Sequence, residues 1–267
     1  MVILELGLIY GLVALGVFIT FRLLKFSDLT VDSSFTFGAF IAAYFMNTPN
    51  IGLAASFIFG GIAGLLTAIL HNKLKMADVL ASILVQLALY SINLRIMGAP
   101  NVVLNYDLPV HTIILCLTIS TGALIYLLNT IFGLRFRASG QNTACANSLG
   151  ISVEKMKTIG LILANGLVGL AGGLMAFYQG FADINLGIGT LITGLAAVII
   201  GEQLFKPSRL SIKCLACIGG ALIYRLIIHY ALKADFIFKP SDLNLITAGI
   251  VITLIAVSKL RRSYVNA

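Results

Sequence analysis

Nine apolar runs, each broken by a short polar stretch, organise this chain: 3–21, 33–46, 51–70, 78–97, 110–132, 159–178, 189–205, 212–232 and 243–258. A helix needs about 20 mostly apolar residues to cross the hydrocarbon core of a bilayer, so each run is predicted to be a transmembrane helix. The runs at 33–46 and 243–258 are short, which puts the count at nine with a range of eight to ten. All five prolines, Pro49, Pro100, Pro109, Pro207 and Pro240, fall between runs, where they break no internal helix hydrogen bond. The predicted fold class is all-α, a polytopic membrane protein forming one transmembrane domain over residues 1–267.

Composition agrees with that pattern. The 267 residues are 59% hydrophobic and only 10% charged, with a mean hydropathy of +1.03. Soluble domains carry about 25% charged residues, so too little charge is present to cover a water-facing surface. The net charge of +8 is distributed by loop and excludes a nucleic-acid role. Alternate loops collect Arg22 and Lys25, then Lys73 and Lys75, then Arg135, Arg137, Lys155 and Lys157, then Lys206, Arg209 and Lys213, and last Lys259, Arg261 and Arg262. Those are fourteen of the eighteen Lys and Arg residues, and the opposite loops around 47–50, 98–109 and 179–188 hold none. The positive-inside rule then puts the N-terminus outside and the C-terminus in the cytoplasm of a multi-pass membrane protein. No Lys or Arg precedes the first run, and Glu5 lies within it. That lacks the basic start of a signal peptide, so the run is expected to be a mature span.

The chain also repeats itself. Gly11-Leu12-Val13-Ala14-Leu15-Gly16 returns as Gly166-Leu167-Val168-Gly169-Leu170-Ala171, and Phe26-Ser27-Asp28-Leu29-Thr30-Val31 returns as Phe181-Ala182-Asp183-Ile184-Asn185-Leu186, both at an offset of 155 residues. The aspartate common to the second pair matters most, because charge is expensive in lipid. With an odd number of spans per offset, the first run crosses inward and its mate, the sixth, crosses outward. Two inverted-topology repeats are therefore expected, about 1–132 and 159–262, joined by a cytoplasmic loop at 133–158; that is an architecture of transporters.

Polar residues within this apolar background are the candidate pathway: Asp28, Thr30, Asp32, Ser82, Gln86, Ser91, Asn93, Asp183 and Asn185. Phe26–Ser34 is too polar for a helix at mid-bilayer and too apolar for a free loop. It is either unwound backbone beside a pathway or a capped helix start, with Asp32 or Ser33 as N-cap and Asp28 paired to Arg22 or Lys25. Gly187, Gly189 and Thr190 would serve the second half in the same way. The fourth run carries Ser82, Gln86, Ser91, Asn93 and Arg95; side chains of this kind face either a water-filled cavity or a neighbouring helix. Arg225 and His229, near the outer end of the eighth run, are expected to snorkel outward. Cys116, Cys145, Cys214 and Cys217 have neither a disulfide pattern nor a second zinc-spaced pair. No histidine is paired with a nucleophile, and no cofactor is expected.

The loop at 133–158 is the most specific local signal. Residues 142–149 suit a two-turn helix ended by Gly150, with Ser152 available to cap the next helix. Gly133, Arg137, Ala138, Gly140 and Asn142 form Gly-x-x-x-Arg-Ala-x-Gly-x-Asn. Ala146, Gly150 and Ile151 form Ala-x-x-x-Gly-Ile, and residues 166–173 read Gly-Leu-x-Gly-Leu-Ala-Gly-Gly. Together these motifs resemble the permease subunits of ABC importers of the branched-chain amino acid and ribose type. Leu195–Glu202 resembles a late-span motif of the same family. Phe26–Asp32 and Leu89–Gly98 are similar to a branch often labelled for tryptophan or tyrosine uptake. The resemblance covers nearly the whole chain; Ser139 replaces a usual small apolar residue.

The resemblance implies a bacterial plasma (inner) membrane location and specific partners. Arg137, Gly140, Asn142, Ala146, Leu149, Gly150 and Ile151 would form the coupling element for a cytoplasmic ATPase. A second permease copy, as a homodimer, and an extracytoplasmic substrate-binding protein would complete an importer of a small solute of the amino-acid kind. This chain has no Gly-x-x-x-x-Gly-Lys-Ser/Thr loop, so it is not itself an ATP-hydrolysing enzyme. The competing reading is a secondary transporter with inverted repeats, which would need a coupling-ion site at the midplane, whereas Asp28, Asp32 and Asp183 fall near span ends. An intramembrane enzyme finds no Ser/His, zinc-type or paired-aspartate constellation.

Overall fold

The computed structural model describes residues 2–104, 106, 108–207, 209–233, 247–249 and 252–253. Among these, helix α1 (Val2–Val17) runs on through a π-helical segment, Phe18–Leu24, that stops at Lys25 in the left-handed region (φ 54). There follow α2 (Thr30–Tyr44), α3 (Pro49–Leu74), α4 (Asp78–Met97), the strand β1 (Asn101–Val103), α5 (Val110–Asn129), α6 (Ile131–Gln141) and α7 (Thr143–Ser148). Then come α8 (Val153–Gln179), β2 (Phe181–Asp183), α9 (Thr190–Phe205) and α10 (Leu210–Lys233).

Eight of the expected spans are helices. Six of them are long and apolar enough to cross a membrane, α9 is shorter, and α2 has only 15 residues. The ninth expected run, 243–258, lies almost wholly outside the described residues. The boundaries have local causes. Pro49 opens α3, where its missing N–H is not needed. Gly98 and Gly180 close α4 and α8 with positive φ, each N–H returning to the carbonyl four residues back. The fifth run is predicted to continue to 132, but Thr130 takes an extended conformation, ends α5 and starts α6 in the same turn. Neither α6 nor the short ribbon was predicted. The ribbon pairs Asn101 with Asp183, Val102 with Ala182 and Val103 with Phe181, antiparallel, and so ties the α4–α5 connection to the α8–α9 connection.

Helix α8 is the centre. In its most apolar window 83% of the residues are buried, against 28% for α4 and 22% for α5, so α4 and α5 form the rim. The principal contacts have a symmetry: α8 packs on α2 and α3, α1 packs on α9 and α10, α2 packs on α3 as α9 does on α10, and α1 lies against α8. Exchanging α1 for α8, α2 for α9 and α3 for α10 leaves this set unchanged.

Small residues permit these contacts. Apolar side chains gain nothing by leaving lipid for protein, so close van der Waals approach has to hold the helices together. Gly60 and Gly64 of α3 lie against the Asn165 and Leu161 carbonyls of α8, and Gly172 lies beneath the Phe35 carbonyl of α2. A Cβ at Gly172 would collide with that backbone, whereas one at Gly122 on the rim would meet nothing. Gly172→Ala is therefore expected to cost about 1–3 kcal/mol and Gly122→Ala to be neutral or stabilising. Thermal melting of the purified protein in detergent checks this; equal melting temperatures for the two variants would contradict the packing described here.

Candidate functional site

The connector between the first two spans alternates, with Lys25 and Ser27 exposed and Phe26 and Asp28 buried. Asp28 has no exposure to solvent, and its Oδ1 accepts the Thr30 backbone N–H at 2.9 Å. Its Oδ2 accepts from Nδ2 of Asn165 at 2.7 Å. Asn165, in the middle of α8, also donates to the Leu161 carbonyl (3.1 Å) and accepts from the Ser34 hydroxyl (2.7 Å). The Thr30 hydroxyl meets that of Thr67 on α3 at 2.7 Å. Burial pushes the Asp28 carboxyl above its ordinary range, and the hydrogen bonds from Asn165 and Thr30 pull it part of the way back, with Ser82 nearby but donating to the Asp78 carbonyl. The expected ion pair of Asp28 with Arg22 or Lys25 does not form. Arg22 instead pairs with Glu202 of α9, because the left-handed turn at Lys25 carries Asp28 into the bundle, away from the cations.

Asp32 does not cap its own helix either, since α2 begins two residues earlier, at Thr30. From the first turn of α2 it reaches α9: Oδ1 accepts from the Leu191 N–H (2.8 Å) and the Thr190 hydroxyl (2.9 Å), and Oδ2 accepts from the Gly189 N–H (3.2 Å). A carboxylate is favourable at a helix N-terminus because it satisfies orphan N–H groups and opposes the helix dipole. Thr36 adds a bond from the Gly187 N–H. Ser33, the other cap candidate, bonds only to the Thr30 carbonyl.

In the second half, Oδ1 of Asp183 accepts the Asn185 N–H at 2.8 Å. This is the turn Asp28 makes with Thr30, 155 residues later. The environments differ, since Asp183 is half-buried and Asn185 exposed. On α4, Ser82 and Asn93 face inward, Gln86 is half-buried and Ser91 is exposed; the buried Oδ1 of Asn93 has no hydrogen-bond partner. The structure thus gathers Asp28, Thr30 and Ser82 in one cluster and places Asp32, Asp183 and Asn185 around the start of α9. Ser91 and Gln86 lie apart on the rim. Sequence inspection missed Ser34, Thr67 and Asn165, although a lone asparagine in the sixth apolar run was a usable signal.

Arg225 does not snorkel outward. Its guanidinium carbon lies 3.7 Å from the centroid of the Tyr10 ring, and its Nε is buried without a partner. His229 is exposed. Among the described residues no group of three His, Cys, Asp or Glu side chains could hold a metal ion.

The 133–158 segment folds as α6, α7 and the start of α8. Asn142 caps α7, its side chain accepting the Cys145 N–H at 3.1 Å. The helix ends in a Schellman turn: Ile151 N–H bonds to the Ala146 carbonyl and Gly150 N–H, at φ 74, to the Asn147 carbonyl. Ser152 occupies the N-cap position of α8 but makes no capping bond with its side chain. Gly140 lies against the Leu23 carbonyl of the π-helical segment, where no Cβ would fit. Arg137 is half-buried, its Nε donating to the Gly133 carbonyl; Ser139 is buried and donates to the Phe136 carbonyl. Ala146 is packed against its own chain, Ile151 is half-buried, and Leu149 stands 70% exposed at the tip. Beside α7 a cavity of about 400 Å³ is lined by His71, Lys75, Asn147 and Lys157 among others.

Comparison with known proteins adds three findings. Residues 1–257 match the family described as branched-chain amino acid transport system / permease component. The chain is 39% identical to a tyrosine transport system permease protein of Clostridioides difficile (strain R20291), over 96% of this chain and 90% of the relative. It is 29% identical to a probable branched-chain amino acid transport permease protein, LivH, of Methanocaldococcus jannaschii, over 95% and 87%. A nucleoside ABC transporter permease protein of Lactococcus lactis subsp. cremoris is also 29% identical, over 72% and 65%. No solved structure is significantly similar.

Asn165→Leu removes the partner of both Asp28 and Ser34 at once. It is expected to destabilise the protein by about 3 kcal/mol, while Asp28→Asn, which keeps a polar group of the same shape, costs less. Melting curves of the two variants in detergent test this ranking; the reverse order would show that Asn165 is not what holds the connector.

Proposed function

The chain belongs to the branched-chain amino acid transport permease family, and on that premise we propose that it is the membrane subunit of an ATP-driven importer. Family membership already makes it a multi-pass membrane permease of the ABC type and not an enzyme. The proposal adds the partners: a cytoplasmic ATPase, an extracytoplasmic binding protein that delivers the solute, and a second copy of this chain. The solute is an amino acid, in keeping with the relatives named for tyrosine and branched-chain amino acid transport.

The observation that carries the proposal is α7. Six residues form a helix stopped at both ends, by Asn142 and by the Gly150 turn, with exposed Leu149 at its tip. A segment this short is marginal alone; rigid termini and an anchored Ala146 let it transmit a push. Its base is anchored to α6, which packs on the π-helical segment of the first span. Motion of an attached ATPase would therefore reach the Phe26–Thr30 connector directly.

The two halves are read as inverted repeats. Support comes from the exchange symmetry of the helix contacts and from the matching turns at Asp28 and Asp183. Asp28, Asp183 and Asn185 in the connectors, Thr30 and Asp32 in the first turn of α2 and Ser82 on α4 then line the segments that reorganise as access alternates between the two faces, with the N-terminus outside and α7 in the cytoplasm.

Two experiments test this reading. Truncating a well-packed interface anchor costs about 1–4 kcal/mol, so Leu149→Asp should abolish co-purification of the ATPase and uptake while leaving binding-protein association intact. Retention of both by Leu149→Asp and by Gly150→Pro would remove α7 from the coupling role. For topology, Val103→Cys should react with an impermeant maleimide from outside and Asn147→Cys only from inside, both in a background without other cysteines. Labelling of both from one face would overturn the orientation.

A further inference from the structure

The register of α1 against α10 is fixed by Gly7 beside Leu222 and Gly11 beside Ile218, which makes the pair antiparallel. In that register the backbone of Arg225 is level with the first turn of α1, while Tyr10 lies roughly 9 Å further along the axes. The Arg225 side chain spans this distance toward the middle of the bundle, the direction helical side chains favour on α10. Outer water was closer. Desolvating a guanidinium is costly; Arg225 is half-buried, its Nε is buried with no hydrogen-bond partner, and no ion pair among the described residues involves it. The Tyr10 ring covers one face of the cation and stabilises it through its π electrons. The N–H donors lie in the guanidinium plane, so stacking leaves them free for a planar acceptor. Tyr10 is itself fixed, 9% exposed and 6.1 Å from the Phe35 ring, so the cation rests on a rigid support.

We propose that Arg225, laid on Tyr10, is the receptor for the carboxylate of the transported amino acid in the outer half of the pathway. The inference rests on the importer reading and deepens it. A planar guanidinium takes a carboxylate through two parallel N–H···O bonds, a geometry that lysine cannot reproduce. With the N-terminus outside, this cation lies in the outer half of the bundle, the side on which a solute arrives from its binding protein.

The test uses the complete importer, with ATPase and binding protein, in phosphatidylcholine vesicles with and without phosphatidylglycerol, and labelled L-tyrosine as probe. Arg225→Gln should lower uptake at least about tenfold, while ATPase stimulation by the loaded binding protein stays within about twofold of wild type. Arg225→Lys should recover part of the uptake, and Tyr10→Leu should resemble Arg225→Gln. Wild-type uptake by Arg225→Gln and Tyr10→Leu overturns the proposal. So does a loss confined to vesicles containing phosphatidylglycerol, which would make the ligand a lipid phosphate. If the wild-type assembly shows no stimulated ATPase, the importer reading itself fails and this inference falls with it. Should Arg225→Gln not assemble, the wild-type importer decides. With 1-¹³C-tyrosine and ¹⁵N-arginine, solid-state NMR should show a carboxylate–guanidinium contact of about 3–4 Å that is lost in Arg225→Lys. Absence of that contact overturns the proposal.

Discussion

One hydrogen-bonded group holds together parts of the chain that lie far apart in sequence. Asn165, at the centre of the most buried helix, joins the connector at Asp28, the start of α2 at Ser34 and its own helix at Leu161. Lipid offers no water to replace a lost partner, so each of these groups depends on the others. The glycines around Asn165 serve the same end: with Gly60 and Gly64 facing it, α3 comes close enough for Thr67 to reach Thr30. Packing and polar satisfaction are here a single constraint. A larger residue at either glycine would separate the helices and break the hydrogen bonds together.

Most of the helical layout was legible in the sequence because length and apolarity alone define a span. Residues 78–97 and 190–205 fall within one residue of their predicted limits. The short helix expected over 142–149 was legible as well, since a Gly stop is a local signal and α7 obeys it at Gly150; its Asn142 cap was not foreseen. What could not be foreseen depends on tertiary approach. Asp32 looks like a cap for its own helix because capping is normally local; its true partners are about 157 residues away. Arg225 looks like a residue that reaches for the nearer water, and only the register of α1 against α10 shows it turned inward. The ribbon of β1 and β2 has three residues per strand, too few for any periodicity. Asn165 was visible as a lone amide in an apolar run, but its role emerges only once Asp28 is seen to be buried.

The symmetry of the helix contacts is not carried into the chemistry. Matching turns at Asp28 and Asp183 share their backbone hydrogen bond, yet one is sealed beneath Asn165 and the other is half-open. By the same 155-residue offset, Asn165 corresponds to Tyr10. Where one half closes an aspartate with an amide, the other supports a cation with an aromatic ring. The two sets of helix contacts are thus alike while the polar residues set into them differ.

The cap that Asp32 supplies to α9 has a consequence for how the chain is made. Helix α9 begins at a glycine with no side-chain cap of its own, so the Gly189 and Leu191 N–H groups are satisfied by a residue synthesised some 157 positions earlier. Non-local contacts of this kind are slow to form. During synthesis the first half must therefore remain in the bilayer with its Asp32 carboxylate unpaired and Asp28 without Asn165. It reaches its final packing only when α8 and α9 have left the ribosome. Biogenesis of this protein therefore cannot proceed half by half.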